Sequence, residues 1–569
     1  MGYLCLLLPL FLAATAWSKF VLQPGPFLKL PDRNNRYTVN NGAANKASYD
    51  NQENYLYVIG YKADLLHIVN MTDPNTPQLI ASKYFQMVNM GLPDSVKVCR
   101  GGTNREFLAI SFESVGQLEK SHVYLFQLFD STNYDGPLVN LKAHATVEGF
   151  DPRDMGWKRD CSELLVLSEG NPHEVNGIFT DPPATMDILI PSFGNNVDKI
   201  TVPIIESDLE AANVRYIFQQ CEGDGDSTER SSRVQDLEPK AVYVDRNDIA
   251  FVVFQDNNAM GTLNMSDPFA KMQYYDLGRK DWSSFGLDGS YDDGGLNLKS
   301  RMLQSFYQPR DLDGVYVDGK LWLVTADAGS IRKYSLSSCS FDESSTARNW
   351  NQPFADGLTA AEVQQLDSDM NSNAEIGRLS VSKLRQSSDG WDSAFQGYDF
   401  VCTYGGRGFS IIDPATMSRV FDSGDDFERY YTSLDATEPQ KAIFNAKVGG
   451  YSTAQSSQVD RASPEQGPQP SNIAVVQRSD STSLVVIANG VTGGLYTYSV
   501  TSGPVVNFEG FVRRGQPGLS WTEAYAMDSD AVGEPHITDL LTFEDQGQTT
   551  VVAVSSTAGA ISIYRVEEV

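Results

Sequence analysis

Residues 287–298, "LDGSYDDGGLNL", gather the hard oxygen donors of a calcium loop. Asp288, Ser290, Asp292 and Asp293 offer carboxylate and hydroxyl oxygens, and Asn297 can add its side-chain carbonyl. Gly294 and Gly295 let backbone fold around an ion that wants about six to eight oxygens. The spacing is not that of an EF-hand: the glycine falls one place late, and the twelfth position from Asp288 is Lys299. The competing reading is a tight acidic turn with glycine at positive φ. A weaker candidate alternates Asp367, Asp369, Asn371, Asn373 and Glu375 with no glycine to turn it before Gly377, and "EGDGDS" (222–227) reads as a solvated loop.

Hydrolytic chemistry needs a nucleophile and a base within reach of each other. His67 and His122 sit inside strand patterns, where a histidine is usually structural. His173, after "SEGNP", and His536, in "GEPHIT", fall in expected turns and can line a site. Gly-x-Ser-x-Gly, His-Glu-x-x-His and a glycine-rich phosphate loop are all missing from the sequence. Arg407, in "GGRGF", is a candidate for a structural clamp or an anion contact. Two sequons, Asn70-Met-Thr72 and Asn264-Met-Ser266, occupy the same place in two similar segments, at a strand end just before Asp-Pro, and mark candidate N-glycosylation sites.

These residues are carried by a repeating strand pattern. "LLHIVNMTDPNTP" (65–77), "GTLNMSDPFA" (261–270) and "GFSIIDPATM" (408–417) each run an alternating strand into Asp-Pro and a polar turn, and each follows another strand. Five further two-strand units lack the Asp-Pro. Eight hairpins, with helical periodicity only near 359–370, predict an all-β chain forming a single β-propeller over 19–569. The hairpin count favours eight blades. Seven remain if one hairpin is an insertion or if an N-terminal strand closes the last blade. Residues 221–236 and 452–472 are polar and rich in Gly, Ser or Pro, and read as long surface loops.

Composition sets the surroundings. Asp+Glu number 73 against 44 Lys+Arg, a net charge of -29 over 569 residues. Such a surface repels nucleic acid and anionic lipid and attracts divalent cations, basic partners or mineral. Residues 1–18 combine an apolar run, Leu4–Ala14, with small residues at Ala16 and Ser18, and predict a secretory signal peptide cleaved before Lys19. A membrane span or a C-terminal lipid-anchor tail is not expected. Cys99, Cys161, Cys221, Cys339 and Cys402 then remain, enough for two bridges and one free thiol.

The stretches "DLEPKAVYVDRNDIAFVVFQDNNAM" (236–260), the loop 287–298, "YQPRDLDGV" (307–315), "YGGRGFSIIDPATMSRVFDSGDDFE" (404–428) and "VDRASPEQGPQP" (459–470) follow one another along the chain. In this collinear order they resemble the choice-of-anchor I family, of the mesenchyme-specific cell-surface glycoprotein type found in biomineralising tissue. The resemblance implies a secreted or surface-anchored propeller glycoprotein linked to calcium-carbonate mineral, with bacterial relatives described as phosphatase- or esterase-like. It also implies acids at the ends of inner strands, which here are Glu169, Asp256 and Asp327, candidates for lining the propeller channel. Other such positions carry Asn489 or Gln469-Pro470-Ser471 instead. Two functions follow. One is a non-enzymatic acidic glycoprotein that binds calcium and extracellular matrix or mineral partners. The other is a calcium-dependent, phosphatase-like hydrolase, which requires Glu169, Asp256 and Asp327 to converge on the axis.

Overall fold

The computed structural model describes residues 19–85, 90–102, 105–114, 119–131, 139–192, 196–218, 221, 231–267, 269–527, 531–545 and 547–569. The expected signal peptide and the 222–227 loop lie outside them. Among the described residues, seven sheets have four antiparallel strands each, and they follow one another along the chain as blades. Blade 1 is Lys46–Asp50, Tyr55–Gly60, Leu65–Asn70 and Gln78–Tyr84. Blade 2 is Pro93–Arg100, Glu106–Phe112, His122–Phe126 and Leu141–Thr146. Blade 3 is Pro152–Trp157, Leu164–Ser168, Thr185–Pro191 and Val197–Thr201. Blade 4 is Pro239–Val244, Ile249–Phe254, Ala259–Asn264 and Gln273–Asp276. Blade 5 is Asp311–Val317, Lys320–Asp327, Gly408–Asp413 and Ser418–Asp422. Blade 6 is Pro470–Ser479, Thr482–Asn489, Leu495–Thr501 and Val505–Val512. Blade 7 is Ile537–Asp545, Gln548–Ser555, Ala560–Glu568 and, as its outermost strand, Phe20–Lys29.

The second strand of each blade explains the solid apolar runs in the sequence. Side chains alternate between the two faces of a strand, and here both faces are buried. In blade 1, Leu56 and Val58 pack with Val552 and Val554 of blade 7. Their neighbours Tyr57 and Ile59 pack with Leu108 and Ile110 of blade 2. The same alternation joins blades 2 and 3 through Ala109 and Val166, blades 3 and 4 through Leu165 and Val252, and blades 4 and 5 through Val253 and Leu323. It joins blades 5 and 6 through Val324 and Ile487, and blades 6 and 7 through Val486 and Val551. Seven apolar cores, one between each consecutive pair, therefore close a ring.

The hairpin count of eight gives way to seven sheets, because two hairpins belong to one blade. Lys320–Asp327 pairs not with the following "SIRKYSL" but with Gly408–Asp413, in register Ala326↔Phe409. The intervening chain and residues 277–310 build a cap of five strands in the order Arg279–Asp281, Gln304–Phe306, Cys402–Thr403, Ser380–Ser382, Ser344–Thr346. The cap has its own core around Trp282, Trp350, Leu366 and Tyr398.

The alternating acids near 367–375 are not a loop. Helix Ala360–Asn371, capped by Thr359, takes the first of them, and Glu375 pairs with Lys299 and Arg301. That helix is where the periodicity near 359–370 places one; among the described residues, four shorter helices, Glu206–Ala211, Arg233–Asp236, Asp426–Thr432 and Trp521–Met527, lie outside the periodicity read from the sequence. Residues 452–472 depart from a surface loop as well: Asp460, Ala462 and Ser463 are buried. Cys99–Cys161 ties blade 2 to blade 3, Cys221–Cys339 forms the second bridge, and Cys402 is free and buried.

Candidate functional site

The opening loop keeps its acids but divides them between two tasks. Leu287 and Lys299 pair across its base, and Gly294 and Gly295 take φ of 99° and 111°, a region where a side chain is strained. Asp288 is fully buried and accepts the amides of Ser290 and Asn297 at 3.2 and 2.8 Å. Asp293 accepts the Asn297 side-chain amide at 3.1 Å. Asp292 points away and pairs with Arg378, while Ser290 donates its hydroxyl to the Asn373 carbonyl. Of the five donors expected from the sequence, Asp288 and Asp293 share a cluster.

Their third partner comes from the distant segment that reads as a surface loop. Carboxylate oxygens of Asp288, Asp293 and Asp460 all lie within 4.8 Å of one another. Asp460 is 3% exposed; one of its oxygens accepts the Ser463 hydroxyl, and Oδ2 has no partner. Beside it, Oε2 of buried Glu428 and Oδ1 of buried Asn445 are also unpartnered. Burial, then the nearby charges of Glu428 and Asp460, push the Asp288 carboxyl up to about 8. Burial raises Asp460 to about 6 and lifts Glu428 above the usual carboxylate range.

Arg407 holds this arrangement together. It is fully buried at a φ of 56°, and its guanidinium donates to the Asp288 carbonyl at 2.8 Å, to Glu428 at 3.0 Å and to the Ser463 carbonyl at 2.6 Å. One side chain thus fixes the loop, the helix Asp426–Thr432 and the 452–472 segment. It is a clamp, with its donors turned toward carbonyls and one carboxylate.

The second candidate region is the axis. The chain repeats a Pro-Arg-Asp at the start of two innermost strands, Pro152-Arg153-Asp154 and Pro309-Arg310-Asp311. The aspartates lock neighbouring blades: Asp154 accepts the Val242 amide at 3.1 Å and Asp311 the Ile473 amide at 2.9 Å. Asp539 of blade 7 does the same to Ala47 of blade 1 at 2.8 Å. The preceding residues, Arg153 and Arg310, and the corresponding Lys240 of blade 4, face the channel.

Two of the three acids implied by the family resemblance pair with cations beside this channel. Glu169 pairs with Arg153 and, at 2.8 Å, with Lys240. Burial alone would raise its carboxyl, but the two cations hold it well below the usual range. Asp256 meets Arg332 at 3.2 Å, which outweighs the cost of burial and lowers it, and Glu238 meets the same arginine at 2.9 Å. Asp327 is elsewhere. It accepts hydroxyls from Thr325 and Ser410 inside blade 5, and burial pushes it up to about 7. The convergence that hydrolysis required is therefore incomplete, and the two acids at the mouth are neutralised by cations.

The histidines are dispersed. His67 is buried against the Ser82 hydroxyl, and burial holds it down near 4. His122 meets Thr146, His173 meets the Asn171 carbonyl, and His536 meets Thr557 at the mouth. The two sequons fall at equivalent points: Asn70 ends the third strand of blade 1 and Asn264 that of blade 4, each accepting the amide two residues on.

No curated protein matches the chain. Among solved structures it is similar to streptogramin B lyase, at 7% identity and a TM-score of 0.39 over 97% of this chain and 98% of that one. It is similar to a chain of the mitotic checkpoint complex, at 9% identity and a TM-score of 0.41 over 95% and 94%. A third is the Cps50 (Swd1) β-propeller domain of Myceliophteria thermophila, at 7% identity and a TM-score of 0.40 over 96% and 100%. Among the described residues, no helix is long and apolar enough to cross a membrane. A family model described as the choice-of-anchor I domain matches residues 45–503, well over half of the chain. The chain belongs to the choice-of-anchor I family, which points to a surface-associated or extracellular protein.

Proposed function

We propose that the chain is a non-enzymatic, secreted acidic propeller that holds calcium at Asp288, Asp293 and Asp460 and meets matrix or mineral partners through its charged surface. The observation that carries this reading is the convergence of three carboxylates from two segments far apart in sequence, with Asp460 Oδ2 buried and unpartnered. An orphaned buried carboxylate oxygen is costly, and like charges crowded together cost more. A divalent cation relieves both. The donors fit a hard ion: carboxylate oxygens, with the carboxylate Glu428 and the amide carbonyl of Asn445 alongside. Bound there, calcium supplies charge neutralisation and a cross-link. The protein's own contribution is positioning, with Arg407 fixing the Asp288 backbone and Ser463 orienting Asp460.

The surface reading rests on the net charge of -29, which concentrates divalent ions near the protein. Glycans on Asn70 and Asn264 fit an extracellular site of action. The mesenchyme-specific, biomineral type of the family is the setting we favour. The test is direct. Purified protein should bind calcium with a site that survives monovalent salt, and should leave a generic phosphomonoester unhydrolysed. Calcium-dependent turnover of that ester would replace this reading with the hydrolase.

A further inference from the structure

The mouth of the axis is chemically unlike the rest of the molecule. A cavity of about 500 Å³ opens there between the turns of blades 4 to 7, within the size range of small-ligand sites. In a chain carrying 73 acids, its lining holds Lys240, Arg310 and His536 and no aspartate or glutamate. The rest of the wall is mostly hydroxyl, amide and backbone, including Gln255, Gln466 and Ser471. Below it, a cavity of about 220 Å³ shares Lys240 and Arg310, continues along the innermost strands and is also lined by Asp94, Asp154, Asp311 and Asp539.

The cations at this mouth are not equivalent. Arg153 and Lys240 share Glu169, and Arg332 is surrounded by Asp236, Glu238 and Asp256. Arg310 occupies the same place in its Pro-Arg-Asp as Arg153, yet its guanidinium has no ion pair or side-chain hydrogen bond among the described residues. The neighbouring Asp311 makes no ion pair with it; its carboxylate oxygens accept the Ile473 and Leu312 amides instead. His536 uses Nδ1 on Thr557, and among the described residues Nε2 has no hydrogen-bond partner. A guanidinium fork matches a two-oxygen anion, and a recessed polar wall suits a hydroxylated body.

We infer that the axial mouth is a binding site for a small polar molecule bearing a tetrahedral oxyanion ester, a sugar sulfate or sugar phosphate, with Arg310 gripping the ester oxygens. The inference is independent of calcium at Asp288, Asp293 and Asp460, and its test is run on the full, calcium-loaded chain at fixed ionic strength. Titration calorimetry would use galactose 6-sulfate, galactose 6-phosphate, galactose, inorganic sulfate and inorganic phosphate. At least one sugar ester should bind, galactose should not, and the ester that binds identifies the source of the oxyanion. Arg310→Met removes only a side chain facing the cavity and should weaken that binding about tenfold or more, the scale of one lost charge-assisted contact. Arg310→Lys should recover part of it, and Asp292→Asn, outside both sites, should leave it unchanged. Absence of ester binding, equal binding by galactose, or an Arg310→Met variant that binds like the parent would overturn the site. Binding of the inorganic ions with no gain from the sugar would overturn the ester assignment.

Discussion

Replacing Asp460 by asparagine separates a calcium site from a merely acidic turn. Carboxylate oxygens of Asp288, Asp293 and Asp460 lie within 4.8 Å of one another. At that distance and an effective dielectric near 20, each pair of full charges repels by roughly 3 kcal/mol. Without an ion, D460N removes two such pairs above about pH 8, where Asp288 is ionised, and should leave the protein as stable as the parent or slightly more so. With calcium, the parent gains by mass action about 2.7 kcal/mol at a hundred times Kd. For a body of this size, with an unfolding entropy near 2.1 cal/mol/K per residue, that is a rise in Tm of roughly 2–3 °C. D460N should lose most of this rise. The control is Asp292→Asn. Asp292 pairs with Arg378 outside the cluster, so this variant should respond to calcium like the parent. Differential scanning calorimetry with and without calcium, at low and moderate salt, reads all of these. A calcium response kept by D460N, lost in D292N, or abolished when salt screens exposed charges would refute the reasoning.

Three further outcomes follow from the same geometry. Arg407→Met strands Glu428 and frees the Asp288 carbonyl; loss of one partner of a buried pair costs about 3–5 kcal/mol, so chemical denaturation should show a large destabilisation together with a lost calcium response. Calcium affinity should rise with pH between about 5 and 8. Asp288 and Asp460 titrate near 8 and 6 when folded, above their unfolded value, so the ion-free fold loses stability as pH rises through that window while the ion gains its charged ligands; calorimetry in buffers of different ionisation enthalpy should detect the released protons. Deleting residues 20–29 removes the outermost strand of blade 7 and exposes its pairing edge along Ala560–Glu568, so the truncated chain should aggregate or melt well below the parent by light scattering and calorimetry.

The propeller was legible because second strands buried on both faces leave continuous apolar runs, as in "IAFVVF" and "SLVVIA". The blade number was harder to read. Nothing local distinguishes a strand that pairs with its successor from one that waits for Gly408–Asp413 across the cap insertion. The closing strand Phe20–Lys29 is also obscure in sequence, since Pro24 and Pro26 interrupt its pattern. A register shift between Pro24 and Phe27 accommodates them. A missed signal was in plain view: Pro-Arg-Asp at 152–154 and 309–311 marks equivalent positions in two blades, and its aspartates lock each blade to the next.

The two sites differ in why the sequence conceals them. Loop 287–298 advertises its oxygens, but the third carboxylate comes from a stretch whose Ser, Gln and Pro content resembles a solvated loop. Arg407, reaching the carbonyls of Asp288 and Ser463 at once, and Arg461, 4.5 Å from the Tyr291 ring, make the two segments neighbours. At the axis the difficulty is cancellation. Glu169 and Asp256, two of the three acids that the family resemblance implies, and Glu238 beside them are each spent on Arg153, Lys240 or Arg332. After those pairings the charge left facing the mouth cavity is that of Arg310, a sign opposite to the chain's net charge. Net charge therefore describes the outer surface, while pairing, residue by residue, decides which charge the axis presents. The same chain can be strongly acidic overall and still leave, among the described residues, the Arg310 guanidinium without an ion pair at its centre.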